Sequence, residues 1–171
     1  AAGARQGGFY LNTGEGSLTP HHLGGGGDLV WQIGTGYFGC RTNEGRFDAE
    51  AFADKANHPQ VKMIELKLSQ GAKPGHGGVL PASKNTEEIA EIRMVEPHTT
   101  ILSPPGHREF SDPDGLLGFV GRLRTLSGGK PVGFKLCIGR VEEFRALCER
   151  MVALDIVPDF ITIDGAEGGT G

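Results

Sequence analysis

Residues 67–78 read Lys-Leu-Ser-Gln-Gly-Ala-Lys-Pro-Gly-His-Gly-Gly, a dense run of groups able to do chemistry. Lys67 and Lys73 supply positive charge, Gln70 an amide, and His76 a ring that exchanges a proton near neutral pH. The intervening glycines permit positive φ or close approach of backbone to a ligand. Together these residue types suit an anionic ligand. Three further residues join them as candidates. Lys135 lies inside the apolar run 131–138, where an unpaired ammonium is costly and calls for a partner or cofactor. Glu15 sits between two glycines, as a turn residue or as a functional acid. Arg93 falls near a helix C-terminus, where it either complements the dipole or binds a carboxylate.

The elements that must position these groups follow from periodicity. Residues 61–68 alternate, with Ile64, Leu66 and Leu68 on one face and Glu65 and Lys67 on the other, which is the period of a β-strand. Lys67 therefore points into the sheet's inner side or pairs with Glu65. Residues 29–33, 131–138 and 159–164 read as further strands. Helices are predicted from Asp48 to Asn57, from about Asn85–Glu88 through Arg93, from Asp112-Pro113 to Gly128-Gly129, and over 142–155. In the third of these Leu116, Phe119, Val120, Leu123 and Leu126 share a face; in the last Phe144, Leu147, Cys148 and Met151 do. Residues 1–47 otherwise read as long, glycine-punctuated loop. Helix alternating with strand at this spacing specifies an α/β fold with a parallel sheet, with the (β/α)8 TIM barrel as the leading version. A barrel takes about 250 residues, so a chain of 171 is expected to be a partial barrel, one domain over 1–171 incomplete at both ends. The last strand runs into Asp164 and a glycine loop, which, followed by a helix, offers backbone N–H groups to a phosphate or to flavin carbonyls.

Composition narrows the function classes. The 29 glycines come in clusters without a fixed period, which excludes collagen and points to specialised turns. A formal charge of −4 and no basic face argue against nucleic acid. No stretch has the roughly 18 apolar residues of a spanning helix. Cys40, Cys137 and Cys148 are odd in number and lack CxxC spacing, which fits a reduced, cytoplasmic compartment. The His21-His22 pair lacks a third ligand at readable spacing and reads as surface loop, so no metal is expected. Gly24–Gly27 reads as a flexible connection.

Several segments in order carry a family likeness. Asn-Thr-Gly-Glu-Gly at 12–16, Gln-Ile-Gly-Thr-Gly-Tyr-Phe-Gly at 32–39, the 67–78 segment, Leu80-Pro81, Glu-Ile-Arg at 91–93, Ser-Pro-Pro at 103–105 and the loop 164–171 resemble the FMN-binding synthase domain of glutamate synthase. The likeness is greatest to standalone members lacking a glutaminase domain. It implies a flavin-containing barrel that reduces 2-iminoglutarate, formed from 2-oxoglutarate and ammonia, to L-glutamate by hydride transfer from reduced FMN. The same resemblance implies that Lys73 and Arg93 hold the keto acid with Gln70 nearby, and that Glu15 handles ammonia or protons as a catalytic residue beside Lys73. It further places Gln32, Gln70, Lys135, Asp164, Gly168, Gly169 and Thr170 near FMN. The implied partners are 2-oxoglutarate, ammonia or glutamine-derived ammonia, and an electron donor without an assigned identity.

The chain departs from the large glutamate synthases at three positions: Val79 replaces a glutamine, His76 an acid, and Ser17 a glycine. The family's iron–sulfur cysteines lie C-terminal to the glycine loop, so no cluster is supported within this chain. Two other readings stay open: a non-redox barrel enzyme binding a phosphorylated metabolite, and a non-catalytic remnant that keeps the fold.

Overall fold

A computed structural model describes residues 1–71 and 76–165. In chain order the elements are α1 (Ala2–Gly7), β1 (Leu11–Asn12), α2 (Pro20–Leu23), β2 (Leu29–Ile33), α3 (Ala49–Ala56), β3 (Val61–Lys67), β4 (Val79–Leu80), a short 3₁₀ turn (Ala82–Lys84), α4 (Glu87–Arg93), β5 (Ile101–Leu102), α5 (Pro113–Leu126), β6 (Val132–Leu136), α6 (Val141–Leu154) and β7 (Ile161–Ile163). Five strands form one parallel sheet in the order β1-β2-β3-β6-β7, and β4 pairs antiparallel with β5 in a separate small hairpin.

Alternation along β3 decides which face meets the helices. Ile64 and Leu66 are fully buried in the core between sheet and helices, and Glu65 projects to the opposite, inner face. Strand β2 repeats this pattern: Leu29, Trp31 and Ile33 join the core, while Gln32 shares the inner side with Glu65, its register partner. Trp31 stacks on Phe52 of α3 at 5.4 Å, and Phe47 meets Phe119 of α5 edge-on at 5.0 Å. Each such buried side chain contributes about 1.5–3 kcal/mol. Hydrogen bonds at the helix starts fix where the helices begin. Asp48 accepts from Glu50 N and Ala51 N, and Asp112 accepts from Gly115 N with Pro113 at the first helical position. On β6, Gly133 faces Phe160, whose backbone and ring leave no room for a Cβ, so β7 approaches β6 closely there.

Parallel strands following chain order, with α3, α5 and α6 between them, are the pattern of part of a (β/α)8 barrel. The N-terminal region differs from the expected loop by holding α1 and α2. The first has six residues and ends at Gly8 in the left-handed conformation. The second has four, held by a reciprocal cap between Thr19 and His22. Neither is long enough to display a helical period. In α6 Leu147 and Met151 are buried, whereas Phe144 and Cys148 are only partly so.

Candidate functional site at the strand ends

The loop after β1 is shaped by its own side chains. Asn12 Oδ1 accepts from Gly14 N at 2.9 Å, and Thr13 Oγ1 accepts from Gln32 N at 3.0 Å, so the turn is tied to β2 just before Glu15. Glu15 then lies against two glycines: a Cβ at Gly34 would stand 2.7 Å from Glu15 Oε2, and one at Gly78 3.2 Å from Oε1. Opposite it, the Lys67 ammonium donates to Glu15 Oε2 and to Gln70 Oε1, both at 3.1 Å. The Lys67 side chain is 14% exposed and that of Glu15 30%. Lys67 thus pairs with Glu15 rather than with Glu65. His76 lines the same small cleft, together with Thr35, Ser69 and Pro104-Pro105.

Arg93 ends α4 beside this loop. Its guanidinium lies over the Phe38 ring at 4.8 Å from the centroid, and a Cβ at Gly16 would stand 3.4 Å from Nη2. Burial lowers the Arg93 pKa from its ordinary value, and the nearby Glu15 charge acts in the opposite direction.

Lys135 is the register partner of Lys67 on the neighbouring strand, so two ammonium stems rise side by side at the sheet's C-terminal edge. Each has its own carboxylate. Lys135 lies 3.0 Å from Asp164 Oδ2, both side chains about a quarter exposed. The Lys135 hydrogen bond, followed by that from Gly71 N–H, holds Asp164 below the usual carboxylate range.

Beneath this layer, the Glu65 carboxylate is 3% exposed and accepts three hydrogen bonds from neutral donors. Asn12 Nδ2 and Gln32 Nε2 donate to Oε1 at 2.8 and 2.6 Å, and Thr162 Oγ1 donates to Oε2 at 2.6 Å. Asn12 and Thr162 come from strands two places away on either side, so the inner face is concave around Glu65. Gln32, expected near FMN, has its amide nitrogen committed to this network. The sequence carries no spacing signal linking residues 12, 32, 65 and 162; inward alternation alone could have grouped them.

His107 is another residue the sequence did not single out. Its Nε2 lies 2.8 Å from the Lys67 carbonyl and its Nδ1 3.0 Å from Tyr37 Oη. A carbonyl only accepts, so Nε2 carries the hydrogen and Nδ1 accepts from the Tyr37 hydroxyl. Burial lowers the His107 pKa from 6.5 to about 4, the Lys67 carbonyl opposing. Because the folded value lies below the unfolded one, the unfolded chain takes up the proton first. The stability held by neutral His107 is present above pH 6.5 and is lost as pH falls toward 4. Urea unfolding followed by Trp31 fluorescence should therefore show a loss of about 2 kcal/mol between about pH 7 and about pH 5 from this group. His107→Gln should flatten that part of the profile; an unchanged pH dependence would count against the assignment.

With this geometry in view, comparison with known proteins is decisive. A family model described as the conserved region in glutamate synthase matches residues 1–171. The chain belongs to the glutamate synthase family. The glutamate synthase large subunit-like protein YerD of Bacillus subtilis is 50% identical over 165 residues, covering 96% of this chain and 31% of that protein. The archaeal-type glutamate synthase [NADPH] of Thermotoga maritima is 35% identical over 173 residues, covering 100% of this chain and 31% of that protein. A ferredoxin-dependent glutamate synthase of Antithamnion is 34% identical over 114 residues, 65% of this chain and 7% of that protein. The chain thus spans about a third of the length of the first two relatives.

The three departures from the glutamate synthase pattern occupy distinct surroundings. Ser17 is fully buried at a φ of 85°, a conformation glycine adopts freely and serine rarely. Val79 is exposed on β4, and His76 is exposed at the cleft. His21 and His22 lie on α2, with His21 bonded to Glu88 at 2.8 Å on an exposed surface and His22 to Thr19. Among the described residues, no group of three or more His, Cys, Asp or Glu side chains could hold a metal ion, and no helix is long and apolar enough to cross a membrane. The expected site residues Lys73, Gly168, Gly169 and Thr170 lie outside the described residues.

Proposed function

We propose that the protein containing this glutamate synthase region is an FMN-dependent oxidoreductase that reduces 2-iminoglutarate to L-glutamate, within a complete (β/α)8 barrel. The observation that supports this reading best is the paired arrangement Lys67–Glu15 and Lys135–Asp164 on adjacent strand ends. The donor set also suits FMN. Lys135 and the Gln70 amide are donors of the kind an acceptor-rich pyrimidine edge needs, and they lie on neighbouring strand ends. In this assignment Gln32, Gln70, Lys135, Asp164, Gly168, Gly169 and Thr170 hold FMN, which when reduced supplies the hydride.

The chain's own residues bind and orient the keto acid. Arg93 and Lys73 take its two carboxylates, the guanidinium bidentately and the ammonium as a point charge. Glu15, with Lys67 beside it, accepts a proton from the ammonia nitrogen as that nitrogen attacks the keto carbon. Glu15 returns that proton to the keto oxygen, which departs as water with a second proton lost from the nitrogen, leaving the imine. The imine carbon would take its hydride from bound reduced FMN, and a proton from solvent taken up by the nitrogen would complete L-glutamate. The names of the relatives specify NADPH in one case and ferredoxin in another, so the electron donor is left unassigned.

The test is a visible-absorbance titration of the full-length protein with FMN, followed by reoxidation of the reduced flavin. Stoichiometric FMN uptake and reoxidation requiring both 2-oxoglutarate and ammonia are expected. A colourless protein that takes up no FMN would favour a phosphorylated-metabolite enzyme. Bound flavin indifferent to 2-oxoglutarate with ammonia would favour a non-catalytic remnant.

A further inference from the structure

We propose that His107 is a positioning residue of this site: acting through the Lys67 main-chain carbonyl, it fixes the end of β3 and so places the Lys67 ammonium between Glu15 and Gln70. The register of β2 with β3 ends at Ile33 opposite Leu66, so no residue of β2 pairs with Lys67. On the other side, Leu68 N still bonds to Lys135 O at 2.8 Å, but Cys137 N turns to Ser69 Oγ. The sheet ladder is therefore running out at the residue whose side chain must be held. His107 Nε2–H takes the Lys67 carbonyl at 2.8 Å.

The imidazole is itself anchored from the core. Tyr37 is fully buried, edge-on to Phe47 and Phe119, and its hydroxyl meets His107 Nδ1 at 3.0 Å. Phe110 stacks on the other side of the ring, with centroids 5.0 Å apart and planes 21° apart. A rigid path thus runs from the aromatic core through Tyr37 and His107 to the Lys67 backbone, and from there to Nζ. A neutral imidazole suits the task, since a third cation beside Lys67 and Lys135 would repel both. Burial, which keeps His107 unprotonated at neutral pH, supports this.

The catalytic part of the inference rests on the proposed glutamate synthase reading, and the experiment separates the two. In the full-length protein, acetylation of lysines by limiting acetic anhydride is read by mass spectrometry, with exposed Lys62 as internal reference. Lys67 should react slowly in wild type and several-fold faster, relative to Lys62, in His107→Gln. Tyr37→Phe keeps the core ring, removes only the hydroxyl, and should shift Lys67 in the same direction. It carries the test where His107→Gln fails to fold. In the reoxidation assay both variants should lower kcat, by about tenfold in His107→Gln and less in Tyr37→Phe, with the KM for 2-oxoglutarate changed less than kcat. Unchanged Lys67 reactivity in the folded variants overturns the proposal. Altered reactivity in a protein that shows no reoxidation even as wild type upholds the positioning and sinks the assigned reaction instead. Altered reactivity with wild-type kcat in an active enzyme overturns the catalytic part.

Discussion

Glu15→Gln in the full-length protein is expected to lower the ammonia-dependent turnover of 2-oxoglutarate by about a hundredfold or more, while the protein keeps its FMN. The substitution preserves shape between Gly34 and Gly78, so the loop geometry is retained. It removes the proposed acceptor for the ammonia proton, and it turns a carboxylate facing Lys67 at 3.1 Å into an amide that no longer neutralises it. With side chains 14% and 30% exposed, the stability cost falls between the about 1 kcal/mol of a surface pair and the about 3 kcal/mol or more of a buried pair broken from one side. Activity should thus fall while the folded protein retains its flavin. Steady-state turnover, together with the visible spectrum of the bound flavin, checks this. Turnover within about threefold of wild type, with the spectrum intact, would remove Glu15 from the proton-handling role.

Glu65→Leu is expected to be the most destabilising single substitution on the inner face, at about 3 kcal/mol or more. A leucine fills similar volume but leaves the Asn12 and Gln32 amides and the Thr162 hydroxyl without their acceptor in a buried place. Each orphaned donor costs about 1–3 kcal/mol. Glu65→Gln should be milder, because one carbonyl oxygen remains to accept, and its residual cost comes from the new NH2 facing an existing donor. Urea midpoints for the two variants make the comparison. A Glu65→Leu protein as stable as wild type would mean that water takes over the three donors and that the carboxylate does not organise the inner face.

What the sequence made legible was whatever repeats locally. The alternation of Ile64, Glu65, Leu66 and Lys67 located β3 and its two faces, and Asp112-Pro113 located the start of α5 to the residue. Strands separated by helices then implied the parallel sheet. Short elements were out of reach, because α1, α2, β4 and β5 span too few residues to show a period. The partners of Lys67 were missed for a different reason. Glu65 is its near neighbour in sequence on the same strand face, but Glu15 arrives from a loop 52 residues away and only the folded chain brings it there. His107 was invisible for the same cause: it acts on a main-chain carbonyl 40 residues distant, and a backbone atom leaves no trace in side-chain spacing.

The registered lysines on β3 and β6 have one more effect. Glu15, Lys67, Lys135 and Asp164 form a row at the sheet's edge in which two neighbouring ammonium groups are flanked by two carboxylates, and Asp164 feels Lys67 as well as its own partner. Such a row acts as an electrostatic relay. A proton gained by Glu15 leaves Lys67 uncompensated, and that excess charge is felt one strand away at Lys135 and Asp164. In the proposed assignment, the state of the acid that handles ammonia is thereby communicated to the cation that faces the flavin, with no atom between them having to move.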